Sequence, residues 1–176
     1  MTFKVVKPRK TKLGDFRAGR YGEKHQITIN GNLNKFSFLI TTVHEFAHLI
    51  TFNDFGPRVK AHGPEWKKIY SDLLLPYVES GLLPKDIEDN LMNSLINVKA
   101  SSCSDINLQR VLIKYDKPTN GTVPLEALEK NSTFALNGRQ FTKGILRRTR
   151  FLCTEEKTNK QYLVNALAQV THIHHE

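Results

Sequence analysis

Between Asn34 and Phe52 the apolar residues Phe36, Leu39, Ile40, Val43, Ala47 and Ile50 recur at spacings of three and four. That is the period of a helix with one buried face. Asn34 or Ser37 can cap this helix, and Asn53–Asp54–Phe55–Gly56–Pro57 ends it. After a basic loop the same period returns. Pro64 suits the first position of a second helix whose stripe is Trp66, Ile69, Tyr70, Leu73, Leu74 and Tyr77, with Gly81 closing it. Pro84–Lys85–Asp86 opens a third helix, with Ile87, Leu91 and Leu95 inward, that ends near Val98.

Outside this helical block the texture changes. Leu13–Arg20 and His25–Ile29 read as short strands, and the Gly22 turn between them predicts a hairpin. Residues 1–12 form a basic, extended arm. Residues 99–107 are polar and Ser-rich, the composition of a linker. Beyond it, alternation or β-branching predicts strands at Arg110–Tyr115, Thr133–Leu136, Gln140–Phe141, Leu146–Cys153 and Tyr162–Leu167, with turns at Asn120–Gly121 and Asn137–Gly138. The expected fold is α+β: an N-terminal β-hairpin packed on a helix pair, followed by a small β-rich C-terminal module. The expected division is a domain at 1–98, a linker at 99–107, a β-rich module at 108–171 and an unstructured tail at 172–176.

Composition narrows the class. A chain of 176 residues can bury roughly 70% of its unfolded surface, enough for one good core and a small second module. The net charge of +9 favours a polyanionic partner such as DNA, against the plainer alternative of a basic solubilising surface. Cys103 and Cys153, fifty positions apart, make no disulfide framework. No stretch approaches eighteen apolar residues, and no apolar run follows the basic start, so neither a membrane partner nor a secretion signal is expected. The expected location is the cytoplasm, at the nucleoid if the protein binds DNA.

The helix from Asn34 carries His44–Glu45–Phe46–Ala47–His48. Histidines four apart stand about 40° apart around a helix and about 6 Å along it, so both rings reach one ion, and Glu45 can touch a water on that ion. A core helix with two hydrogen-bonded histidines is the alternative, but burying two His and a Glu without a metal costs several kcal/mol unless each is paired. Water activation needs three protein ligands and an open position. His62, just before the Pro64 helix, offers an imidazole on a rigid support. Asp54 has the spacing of a short-loop third ligand, yet Thr51 stands where that pattern needs Gly. Glu65 or Glu79 would give a carboxylate set from the second helix, and Glu65 could instead orient a ligand imidazole. His62 is the preferred third ligand, for one zinc ion per chain.

Thr42–Leu49 followed by His62–Gly63–Pro64–Glu65–Trp66–Lys67–Lys68–Ile69 resembles the SprT-like metallopeptidases, whose eukaryotic relative is Spartan. Thr11–Arg17 is similar to the strand that leads into the family's helix pair. The resemblance spans residues 10–75. It implies a zinc endopeptidase with His44, His48 and His62 as ligands and Glu45 as general base, then acid. It also implies a protein substrate bound to or crosslinked with DNA. Many SprT-like proteins end in a four-Cys zinc ribbon. With two cysteines, this chain is expected to hold at most a degenerate ribbon there.

Two basic clusters are candidate nucleic-acid contacts: Lys7, Arg9, Lys10 and Lys12 near the start, and Arg147, Arg148 and Arg150 later. Phe141 and Phe151 suit base stacking if exposed and a core if not. Two other function classes stay in play: a DNA-binding module with a structural or inactive zinc site, and a metallopeptidase with no nucleic-acid role.

Overall fold

A computed structural model describes residues 1–9, 11–20, 22–96, 105–117 and 121–173. Contacts divide the chain into two compact units, Met1–Asp116 and Lys117–Glu176.

The first unit begins with a three-stranded sheet of β1 (Thr2–Val6), β2 (Gly14–Arg17) and β3 (Gln26–Asn30), in the order β1-β3-β2. The expected hairpin is present: β2 and β3 pair antiparallel, with Phe16 opposite Ile27. The start of the presumed arm is instead a strand, β1, pairing parallel with β3 from Thr2↔Gln26 to Val6↔Asn30. β3 is buried on both faces. Ile27 and Ile29 pack with Leu49, Phe16, Leu33, Phe38 and Phe46. On the other side, Arg9 donates to the Asn30 side-chain oxygen (2.9 Å) and the Thr28 hydroxyl (3.0 Å), while the Asn30 amide donates to the carbonyls of Arg9 and Lys12.

Helix α1 (Lys35–Phe55) is capped as its sequence indicates, Asn34 accepting from the Phe36 and Ser37 amides at 3.1 and 2.9 Å. It runs to Phe55, three residues beyond the expected end. It stops at Gly56, whose φ of +75° only glycine adopts at little cost. Helix α2 (Pro64–Glu79) starts with Pro64 in its first turn, and α3 spans Lys85–Ile96. The segment expected as a strand at Arg110–Tyr115 is largely helix α4 (Ile106–Ile113), capped by Asp105. Leu108, Val111 and Leu112 are spaced for one helical face, and they share a core with Phe36, Ile40, Trp66, Tyr70, Ile87 and Leu91. The first unit therefore extends to Asp116, past the 98 boundary expected from the sequence. Most of the expected linker lies outside the described residues.

The second unit is a six-stranded antiparallel sheet in the order β4-β9-β5-β6-β7-β8. Its strands are β4 (Val123–Pro124), β5 (Thr133–Leu136), β6 (Arg139–Arg147), β7 (Arg150–Glu155), β8 (Gln161–Asn165) and β9 (Gln169–Ile173). Asn137 and Gly138, both with positive φ, make the expected two-residue turn between β5 and β6. The expected strand Leu146–Cys153 is broken by a second turn at Arg148–Thr149, with Arg148 at φ 57°. Tail residues His172 and Ile173 belong to β9 and pair with Phe134 and Thr133. Residues 174–176 lie outside the described residues. Leu125, Phe134, Phe141, Cys153, Val164 and Val170 form the core. Phe141 stacks on Phe134 at 5.6 Å between ring centroids, which places it in the core rather than on a base-stacking surface. Among the described residues, no helix is long and apolar enough to cross a membrane.

Candidate metal centre

His44 and His48 share one face of α1, and His62 ends the loop that leads into α2. Their Nε2 atoms converge: His44 lies 3.1 Å from His48 and 3.3 Å from His62. Three nitrogens bound tetrahedrally to one zinc at about 2.0–2.1 Å would stand about 3.3–3.4 Å apart, so the spacing fits that ion. Among the described residues, this is the group of three or more His, Cys, Asp or Glu able to hold a metal. Asp54, Glu65 and Glu79 are not in it. The imidazoles rest on Trp66, which is fully buried and lies 4.7, 5.3 and 4.7 Å from the His44, His48 and His62 rings. Trp66 in turn stacks on Tyr70 at 4.9 Å. One turn of α2 thus supplies a rigid floor.

The electrostatics suit ligation. Burial, reinforced by the neighbouring imidazoles, pushes His44 down to about 3 and His48 to about 4; burial also lowers His62. All three are neutral near pH 7, with lone pairs available to a cation.

Glu45 is buried and turns toward β2. Burial, with the Asp15 carboxylate adding to it, pushes Glu45 up to about 7, while the backbone N–H of Phe16 pulls it back. Burial alone would raise Asp15 as well. Lys12 and Arg17, each 2.8 Å away, outweigh it and keep Asp15 charged. A carboxyl group that titrates near neutrality beside a metal site is suited to exchanging protons with a water. The sequence reading did not single out the part of β2 in this. Its signal was Gly14, since a glycine inside a strand often marks a close backbone approach.

The candidate nucleic-acid contacts are scattered. Arg9 is engaged with Thr28 and Asn30, Lys12 pairs with Asp15, Lys7 is exposed, and Lys10 lies outside the described residues. Arg147, Arg148 and Arg150 stand exposed together at the β6–β7 turn. Cys153 is a free thiol buried in the second unit's core.

A sheet packed on a helix pair that presents three converging imidazoles makes an α+β domain with a candidate metal site of the His-x-x-x-His type. Residues 2–77, which contain the sheet and all three histidines, match the sequence model of the SprT-like family. No curated protein and no solved structure matches the chain.

Proposed function

We propose that the protein is a zinc-dependent endopeptidase acting in the cytoplasm on proteins bound to or crosslinked with DNA. One observation carries the chemistry: three neutral imidazoles converge within ligand distance while the residue after His44 is a buried carboxyl group titrating near 7. His44, His48 and His62 would hold the ion, and a three-His donor set is that of catalytic rather than closed structural zinc. Bound there, zinc supplies Lewis acidity to water and to the scissile carbonyl. Glu45 accepts a proton from the attacking water as the C–O bond forms, then delivers it to the leaving amine nitrogen as the C–N bond breaks. Burial and the Asp15 carboxylate, opposed by the Phe16 N–H, hold Glu45 between its two protonation states. The DNA part of the proposal rests on the SprT-like match, the +9 charge and the exposed arginines at the β6–β7 turn.

Metal analysis of the purified chain should give about one zinc per molecule, lost in His44→Ala. Wild type should cleave a DNA-bound protein, and Glu45→Gln should keep the zinc and lose the cleavage. A stable, metal-free wild type would end the enzyme reading. Cleavage indifferent to DNA would leave a metallopeptidase with no nucleic-acid role. DNA binding without proteolysis in wild type would leave a binding module.

A further inference from the structure

Beside the three histidines lies a cavity of about 260 Å³ that the chemistry above does not use. Its walls come from all three elements of the site: Phe16 from β2, His48 and Phe52 from α1, and Pro57, Val59 and Ala61 from the loop between α1 and α2. His48 is both a candidate ligand and a wall of this cavity, so the space opens within one side chain of the metal position. It lies below the range of about 300–1,000 Å³ typical of pockets for whole small molecules, and suits a single side chain.

The lining decides what kind of side chain. Thr51 also faces the cavity, but its hydroxyl is engaged with the Ala47 carbonyl at 2.7 Å. No Lys, Arg, Asp or Glu contributes to the wall. The cations gather elsewhere: Arg17, Arg20 and Lys24, with Glu23, line a separate hollow of about 810 Å³ that shares Phe52 and Pro57 with this one. The apolar cavity is also preformed. Phe52 is held between Phe16 and His25 at 5.9 and 5.3 Å. The Gly56 N–H is tied to the Phe52 carbonyl at 2.9 Å, and a Gly63-to-Lys60 backbone bond of 2.9 Å closes the far end of the loop.

We infer that this cavity is the specificity pocket of the site, receiving an uncharged, apolar substrate side chain of leucine to phenylalanine size next to the bond that is cut. The inference rests on the peptidase reading and adds the substrate class. Val59 is the residue to alter, since it lies on the loop, faces the cavity and is not one of the candidate ligands. Val59→Trp would fill the space and Val59→Ala would enlarge it.

The test maps cuts by mass spectrometry after incubating the zinc-loaded full chain, with and without single-stranded DNA, with unstructured peptides carrying every residue type at each position. The expected result is enrichment of Leu, Ile, Met or Phe at one position flanking the cut, over Ala by about tenfold or more. Val59→Trp should shift that position toward Ala and Ser, and Val59→Ala toward Phe and Trp. Both variants should keep the wild-type zinc content and melting temperature. In the inactive Glu45→Gln chain, fluorescence anisotropy should show the best-cut peptide binding about tenfold more weakly once its apolar residue becomes Ser, a difference that Val59→Trp erases. Cleavage without apolar enrichment, or enrichment that neither Val59 variant moves, would overturn the pocket's role and leave the peptidase reading standing. No cleavage of any peptide by zinc-loaded wild type would overturn the peptidase reading and the pocket's role with it.

Discussion

A Cβ placed at Gly14 would come within 2.6 Å of a Glu45 carboxylate oxygen and 2.7 Å of the Thr41 methyl. Neither neighbour can retreat far, because Glu45 and Thr41 are both buried on α1. Gly14→Ala must therefore displace the carboxyl group that the mechanism relies on. The expected stability cost is that of overpacking, about 1–3 kcal/mol. The expected loss in kcat/KM is larger in proportion, on the order of 10²-fold, because a misplacement of an ångström is costly at a reacting centre. Urea denaturation and peptide hydrolysis measured together check this; unchanged hydrolysis would remove Glu45 from the reaction. Glu155 gives a second residue-scale prediction, this time for pH. Hydrogen bonds from Arg139 (2.6 Å) and from the Thr158 hydroxyl hold its carboxyl down to about 2. A carboxyl lowered in the folded state stabilises it above the unfolded value of about 4.5, and this stabilisation disappears as pH falls from there toward about 2. The melting temperature of Glu155→Gln should thus fall below wild type at pH 7 and converge with it between pH 4.5 and pH 2.

At the scale of elements, Asn34 has two jobs. Its side-chain oxygen caps α1, and its amide donates to the Leu112 carbonyl (3.0 Å) and to Asp116 (2.6 Å) just beyond α4. Asn34→Ala should cost about 1–2 kcal/mol in chemical denaturation. Asn34→Ser should recover only the capping part; full recovery would mean that the α4 tie contributes nothing. The cap was legible in the sequence because it is local, as were Pro64 and the Gly56 stop. The three clustered histidines were legible as candidate ligands too, since α1 and the mouth of α2 impose their spacing. What was not legible depends on distant partners. Thr2–Val6 has three exposed side chains out of five and becomes a strand through its pairing with β3. Val111, Leu112 and Ile113 have strand-forming character, yet the Asp105 cap and the shared core with Ile87 and Leu91 make the segment helical. The β6–β7 turn was hidden because arginine, rather than glycine or asparagine, occupies its positive-φ position. Gly14 in β2 marks a close approach, but the partner, Glu45, lies thirty-one residues away and no local pattern names it.

At the scale of the whole molecule, the +9 charge is unevenly available. In the first unit Arg9, Lys12 and Arg17 are engaged with Thr28, Asn30 and Asp15 around the candidate site. Moving them to a phosphate would expose the Asn30 network or release Asp15, whose charge helps hold Glu45 near 7. Arg147, Arg148 and Arg150 instead project from a turn of the second unit, where all three are exposed. If the protein binds DNA through this turn, each arginine that neutralises a phosphate releases counterions and steepens the salt dependence of binding. Replacing all three by alanine should reduce the slope of log K against log[salt] on duplex DNA by about 2.7, at roughly 0.9 per phosphate contact. Zinc content and cleavage of a free peptide should stay at wild-type values, while cleavage of a DNA-bound protein falls. Lys12→Ala should do the opposite, changing the slope little and peptide hydrolysis more, through Asp15 and Glu45. Binding titrations between 50 and 200 mM salt for the two variants separate these outcomes. A slope that the triple replacement leaves unchanged would remove the β6–β7 turn as the DNA contact.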